Sequence, residues 1–328
     1  MSKLTTLIAV LLFFCATAIR ADSFPNVSAT FENVRLGSSY DTRFIYRQPN
    51  LNLRISSPAW SPDGTQIAFV VGFDEAEWDI FVMDANGANV RRLTTELDAS
   101  PNAPSWTPDG SGIIFSYGSE IYQIQSDGSN FTALTQDFVP NSSPDMSPDG
   151  LLAFSSPSAD GNWDIYVKDP DNSVRRLTND SADDLDLAWS PDGTKIAYLS
   201  RGQGPCSFCD GPDEIRVMNA DGSNIQSLTS DSNYPNASGP TWSPDGNQIA
   251  FAADGLEGAL DIYIMDANGG NVTNITNHAY ADFVPAWSPD GNQIAFSSLR
   301  TWYGIFVMDV DGNNVDRLNV EIPENPTP

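Results

Sequence analysis

The chain is poor in histidine, cysteine and positive charge. It has one histidine, His278, three cysteines, and 16 lysines and arginines against 43 acidic residues, a formal net charge of −27. Each shortage excludes something. One imidazole cannot serve both as a catalytic base and in a multi-histidine metal site. Neither a G-x-S-x-G elbow nor a Gly-x-x-x-x-Gly-Lys phosphate loop is present. These absences point away from an enzyme, although carboxylates are abundant enough to form a glycosidase-type pair. The acidic balance repels phosphates and anionic lipid, which removes nucleic acid and membrane surfaces as partners.

Long apolar stretches are missing as well. The one apolar run, Leu7–Phe14, is too short to span a bilayer. Lys3 precedes it and Ala16-Thr17-Ala18 follows, so residues 1–21 read as a secretory signal. The mature protein is expected in the periplasm or outside the cell, monomeric and without membrane insertion. Cys206 and Cys209 then remain, as Cys-Ser-Phe-Cys inside a Gly/Pro-rich loop over 202–212. No second Cys or His pair accompanies them, which disfavours zinc. A disulfide is favoured in an oxidising compartment, with a redox pair as the alternative.

What the chain does have is turns, aromatics and repetition. It carries 24 glycines, 23 prolines and 11% aromatics. The string Trp-Ser-Pro-Asp-Gly starts at Trp60, Trp189, Trp242 and Trp287, with variants starting at Trp106 and Met146, in steps of 40 to 53 residues. Each copy continues with an apolar run such as Ile67-Ala68-Phe69. An alternating run follows, such as Asp79-Ile80-Phe81-Val82-Met83. An Asp/Asn/Gly turn then leads to a short end such as Leu93-Thr94. Pro sets φ for the first turn and Gly takes its left-handed position. Each copy is therefore expected to be a four-strand meander. Such a sheet has two apolar faces and can cover both only by stacking on its neighbours. The fold class is all-β, a six-bladed β-propeller of four-stranded antiparallel blades.

These motifs resemble the TolB-type, WD40-like propeller family, whose repeat reads W-S-P-D-G-x-x-I-A-F…D-I-Y-x-M-D-x-D-G-x-N-x-x-x-L-T. The resemblance covers about 57–319. It implies a propeller used for binding rather than catalysis. The family's preceding α/β domain has no counterpart in the 20–35 residues before the repeats. The expected layout is a signal over 1–21, an N-terminal segment over 22–42, a propeller over 43–319 and a flexible tail over 320–328. Residues Phe44–Ser56 look like the last two strands of a blade, so a seventh, degenerate N-terminal blade is the alternative.

The Ser-Pro-Asp-Gly and Asp-x-Asn-Gly turns share one face of such a ring, and the variable loops share the other. Variable loops on a rigid scaffold are where binding resides. Asp137-Phe138 lies among those loops. The candidate ligand or partner residues there are Trp78, Trp163, Phe208, Tyr234, Tyr280, Arg300, Trp302 and Tyr303; Trp78 and Trp163 could equally be blade packing. The expected partner is a protein or peptide. A saccharide, or a peptidase-type propeller lacking its hydrolase, are the alternatives. No catalytic residue and no cofactor is expected. The loops at Asp84 and Asp309 only superficially resemble calcium loops, since Gly comes fourth rather than sixth. Asp137, Asp183, Asp184, Asp186 and Asp282 are the weak candidates for Ca2+.

Overall fold

The computed structural model describes residues 30–36, 39–45, 53–72, 78–95, 97, 100–203, 210–229, 234–255, 258–300 and 303–322. None of these is helical. The chain divides into two units, residues 1–52 and 53–328. In the first, β1 (Thr30–Leu36) and β2 (Ser39–Ile45) pair only with each other. The segment Phe44–Ser56 is thus not one hairpin: Phe44 and Ile45 end β2, and Arg54 already starts the propeller. The proposed signal, residues 1–21, lies outside the described residues.

The second unit is six four-stranded meanders, each built from consecutive chain. Blade 1 is β3 (Arg54–Trp60), β4 (Gln66–Gly72), β5 (Trp78–Asp84) and β6 (Arg91–Arg92). Blades 2 to 6 follow at 102–133, 142–176, 183–227, 238–274 and 282–317. No seventh sheet of this kind exists among the described residues. The first strands of the blades touch in sequence around the ring, and the first strand of blade 6 (Asp282–Trp287) touches β3.

The alternation of a strand explains why the ring must close. Successive side chains point to opposite faces. In β4, Ile67, Phe69 and Val71 enter the core shared with blade 6, while Ala68 and Val70 enter the core shared with blade 2. Each of the six seams has its own apolar core made by both neighbours. Leu318, Val320 and Ile322 extend the blade 6 to blade 1 core, so the expected flexible tail begins as packed chain.

Both turn types are fixed by short side chains. At the first, Asp63 accepts from the hydroxyls of Ser61 (2.6 Å) and Thr65 (2.8 Å) and from the Thr65 N–H (3.0 Å), while Gly64 has φ +71°. Asp109, Asp192, Asp245 and Asp290 repeat that lock, each with its carboxyl held below the usual range by those hydrogen bonds, that to the preceding Ser or Thr being the largest. At the second, Asp311 accepts from the Asn313 N–H at 3.0 Å, as a hairpin turn requires.

Each innermost strand also carries a bulge. Its register shifts around a residue of positive φ: Ser57, Ala103, Ser143, Asp186, Gly239 or Val284. In five of the six, proline follows. Proline lacks an N–H, which suits a strand whose free edge faces the axis.

Candidate binding face

The meander sends the loops between successive blades, and those between the second and third strands of each blade, to one face. The carboxylate that opens the third strand organises that face. Asp79 accepts from the Thr94 hydroxyl (2.7 Å), and the same hydroxyl accepts from the Ile80 N–H (2.9 Å). Glu120 with Thr135, Asp164 with Thr178 and Asp261 with Thr276 repeat the joint. These acids are buried, Asp164 completely. In blades 1 and 3 an arginine on the fourth strand completes it: Arg92 pairs with Asp79, and Arg176 with Asp164 at 2.7 Å.

The joint reaches on into the loop above. Glu120 accepts the Phe138 N–H at 2.7 Å, with Asp137 braced by the Asn141 amide at 3.0 Å. Phe138 is thereby fixed at φ +60° with its ring 89% exposed. Asp261 accepts the His278 N–H at 2.9 Å, and His278 Nδ1 accepts the Tyr280 N–H at 3.2 Å. Tyr280 is 56% exposed, with its ring 5.6 Å from that of His278. Both aromatics combine a pinned backbone with a free side chain. Phe138, placed by the sequence among the variable loops, was not one of the candidate ligand residues named there. Its signal was an aromatic after an Asp in a loop whose blade opens with an acid.

The other sequence candidates divide. The Trp78 ring covers Gly72, where a Cβ would lie 2.8 Å from it, and packs on the core between blades 1 and 2. Tyr234 packs edge-on against Phe251 and Tyr263. Both belong to the blades rather than to a free surface. Trp163 is half-buried, and its N–H donates to Asp183 at 2.8 Å. Arg300 pairs with the buried Asp282 at 2.7 Å and lies over Phe296 and Phe306. Tyr303 lies under Arg54 of blade 1, 5.7 Å from its guanidinium carbon. Phe208, Trp302, Cys206 and Cys209 lie outside the described residues.

The five aspartates suggested for a cation do not converge. Asp137 belongs to the loop before blade 3, Asp183, Asp184 and Asp186 to blade 4, and Asp282 to blade 6, with blade 5 intervening. Among the described residues no three His, Cys, Asp or Glu side chains gather as a cation would need. Asp186 instead accepts from the Ser143 hydroxyl at 3.3 Å beside the axis. Asp145 joins three blades, accepting from the Ser105 hydroxyl (2.8 Å) and the Trp189 N–H (2.8 Å). Burial pushes both carboxyls up, although each keeps some accessible surface.

Two cavities lie on the opposite, turn face, which sequence reasoning treated as punctuation alone. One of about 300 Å³ is lined by Pro62, Asp63, Trp106 and Asp109. The other, of about 530 Å³, is lined by Pro108, Asp109, Gln123, Met146, Pro148 and Asp149.

Comparison with known proteins agrees with this architecture. The family model described as TolB beta propeller domain matches residues 40–151 and 206–328. Uncharacterized protein Atu1656 of Agrobacterium fabrum is 27% identical over 202 residues, covering 58% of this chain and 67% of that protein. The Tol-Pal system protein TolB of Anaeromyxobacter dehalogenans is 31% identical over 127 residues, covering 38% of this chain and only 26% of its own length. The TolB crystal structure from Acinetobacter baumannii superposes with a TM-score of 0.60 at 20% identity, over 87% of this chain and 77% of that one. An oligogalacturonate lyase in complex with manganese shares the fold alone, with a TM-score of 0.56 at 14% identity over 88% of this chain and 84% of that one. The ring of six Pro-Asp-Gly blades thus has its counterpart in sequence as well as in shape, and the chain belongs to the TolB beta propeller domain family.

Proposed function

We propose that this is an exported, non-catalytic propeller that holds a protein or peptide partner on its variable-loop face. One observation carries the reading. Phe138 and Tyr280 stand 89% and 56% exposed on that face with their backbones pinned, Phe138 directly by the buried Glu120 and Tyr280 through His278, which the buried Asp261 holds. An exposed aromatic costs free energy in water. An anchor already held in one backbone conformation loses little entropy on binding, which is what an interface hot spot needs. Export rests on the apolar run Leu7–Phe14 and the small residues after it.

The test is a pull-down from envelope extract and culture medium with the mature chain, beside Phe138→Ala/Tyr280→Ala. Neither side chain supports a core, so the variant should keep its Tm. The expected result is a protein captured by the wild type and lost, by about tenfold or more, with the variant. Equal capture by both would place binding elsewhere. Capture of nothing, with saccharide-array binding sensitive to the same changes, would replace the reading by a carbohydrate one.

A further inference from the structure

Blade 6 breaks the repeated polar joint on one side only. Every other blade has an acid just before the isoleucine of its third strand: Asp79, Glu120, Asp164, Glu214 and Asp261. Blade 6 has Gly304 there, and Asn319 where the others have threonine. It nevertheless keeps the cation. Arg317 occupies the fourth-strand position of Arg92 and Arg176, paired across the ladder with Phe306 as Arg92 is with Phe81. Arg92 and Arg176 each bond a carboxylate of their own blade and donate Nε to a threonine carbonyl. Arg317 is exposed and has neither partner among the described residues. Its Nε lies 3.2 Å from where a Cβ at Gly304 would be, so the guanidinium rests in the space the missing acid would fill.

Two more cations crowd the same place. Arg54, exposed, reaches across the seam to the Tyr303 ring, next to Gly304. Arg300 lies over Phe306, whose ring is 3.5 Å from that same Cβ position. Asp282 neutralises Arg300 alone. Of the eleven basic residues after position 52, three therefore meet at one edge of the variable face. On a chain of net charge −27, that is an unusual gathering of basic side chains, although the loop after Gly72, the ladder partner of Arg54, carries Asp74, Glu75 and Glu77.

We propose that this edge is an anion site, in which Arg317 and Arg54 receive a carboxylate from an acidic segment of the partner, beside the Tyr303 ring. The incoming group takes the place that an aspartate holds in blades 1 and 3. This rests on the reading of the face as a protein-binding surface. It adds that the partner's contacting segment is acidic, against the overall charge of the chain.

The test is fluorescence anisotropy with a labelled hexaglutamate peptide, a neutral Gly/Ser peptide and an oligouronate. Wild type should bind hexaglutamate above the neutral peptide, more weakly as salt rises. Gly304→Asp supplies the missing acid from within the blade, at a residue without positive φ. It should cut binding by about tenfold, with a Tm at or above wild type. Arg54→Ala/Arg317→Ala should show the same loss, and Arg175→Ala, on the rim of blade 3, should bind as wild type. Hexaglutamate binding no better than the neutral peptide, or unchanged in Gly304→Asp, overturns the site. Preference for the oligouronate overturns the assignment to a peptide. A protein captured equally by wild type and Gly304→Asp would sink this site and leave the partner reading standing. Hexaglutamate binding without any captured protein would do the reverse.

Discussion

Asp184 lies in the innermost strand of blade 4, opposite Ser200 across the ladder and completely buried. Neither of its oxygens has a hydrogen bond of good geometry. Desolvation pushes its carboxyl up to about 6, against weaker opposing help from the Ser200 and Thr178 hydroxyls nearby. The unfolded chain titrates at about 3.9, so the folded state holds this proton more tightly. Stability from this group is greatest at acid pH and is lost as pH rises through about 6. At neutral pH the ionised form costs on the order of 3 kcal/mol. Asp184→Asn should therefore raise stability at pH 7.5 by about 1–3 kcal/mol and flatten the dependence between pH 4.5 and 7. Chemical denaturation across that range would show it; a variant no more stable than wild type at pH 7.5 would show that the charge is compensated. In the sequence Asp183, Asp184 and Asp186 stand out only as acids that could share a cation. Alternation sends Asp184 into the blade while the bulge at Asp186 turns that residue towards the axis, and neither is written in the local sequence.

The turns were the most legible elements, because their chemistry is local. Ser-Pro-Asp-Gly specifies a turn within five residues, and five of the six close the same hydrogen bonds. Blade 3 is the exception. Its turn is one residue shorter, Leu151 stands where the others have Thr, Ser or Asn, and Asp149 has no hydrogen-bond partner among the described residues. Asp192→Ala should cost about 1 kcal/mol, because the N–H and hydroxyl of Thr194 and the Ser190 hydroxyl lose their acceptor. Asp149→Ala should stay within about 0.5 kcal/mol of wild type. Paired urea titrations would separate them, and equal costs would mean the carboxylate acts through something other than the lock. The lock also weakens as pH falls below the ordinary carboxylate range, opposite in sign to Asp184. The bulges were not legible in the same way. A left-handed Val284 before proline runs against propensity, and only packing around a common axis explains six such residues at one position. The same holds for Trp78 and Tyr234. Their loop positions suggested a surface, and the cross-strand neighbours that make them core are distant in sequence.

For the whole molecule, stability is a ring of six seams, and the weakest should set how the ring opens. The seam between blades 2 and 3 has the thinnest buried core, Ile114, Ile121, Leu152 and Phe154. There alone the repeat tryptophan is replaced, by Met146, which lines the cavity of about 530 Å³. At two of the other five seams the indole ties the blades together: Trp106 donates to the Ala59 carbonyl at 3.0 Å and Trp242 to the Ala188 carbonyl at 3.2 Å, each in the blade before, whereas the indole nitrogens of Trp60, Trp189 and Trp287 are buried without such a partner. The corresponding acceptor for an indole at 146 is the carbonyl of Ser105, and the cavity offers the room. Met146→Trp should stabilise the ring by about 1–2 kcal/mol through added apolar burial. It should also slow hydrogen exchange at the facing strands, Gly112–Tyr117 and Leu152–Pro157, more than elsewhere. A lower urea midpoint would mean that the added ring overpacks the seam. A higher midpoint with uniform protection would mean that the ring opens at some other seam, with the closure between blades 6 and 1 next to be tested.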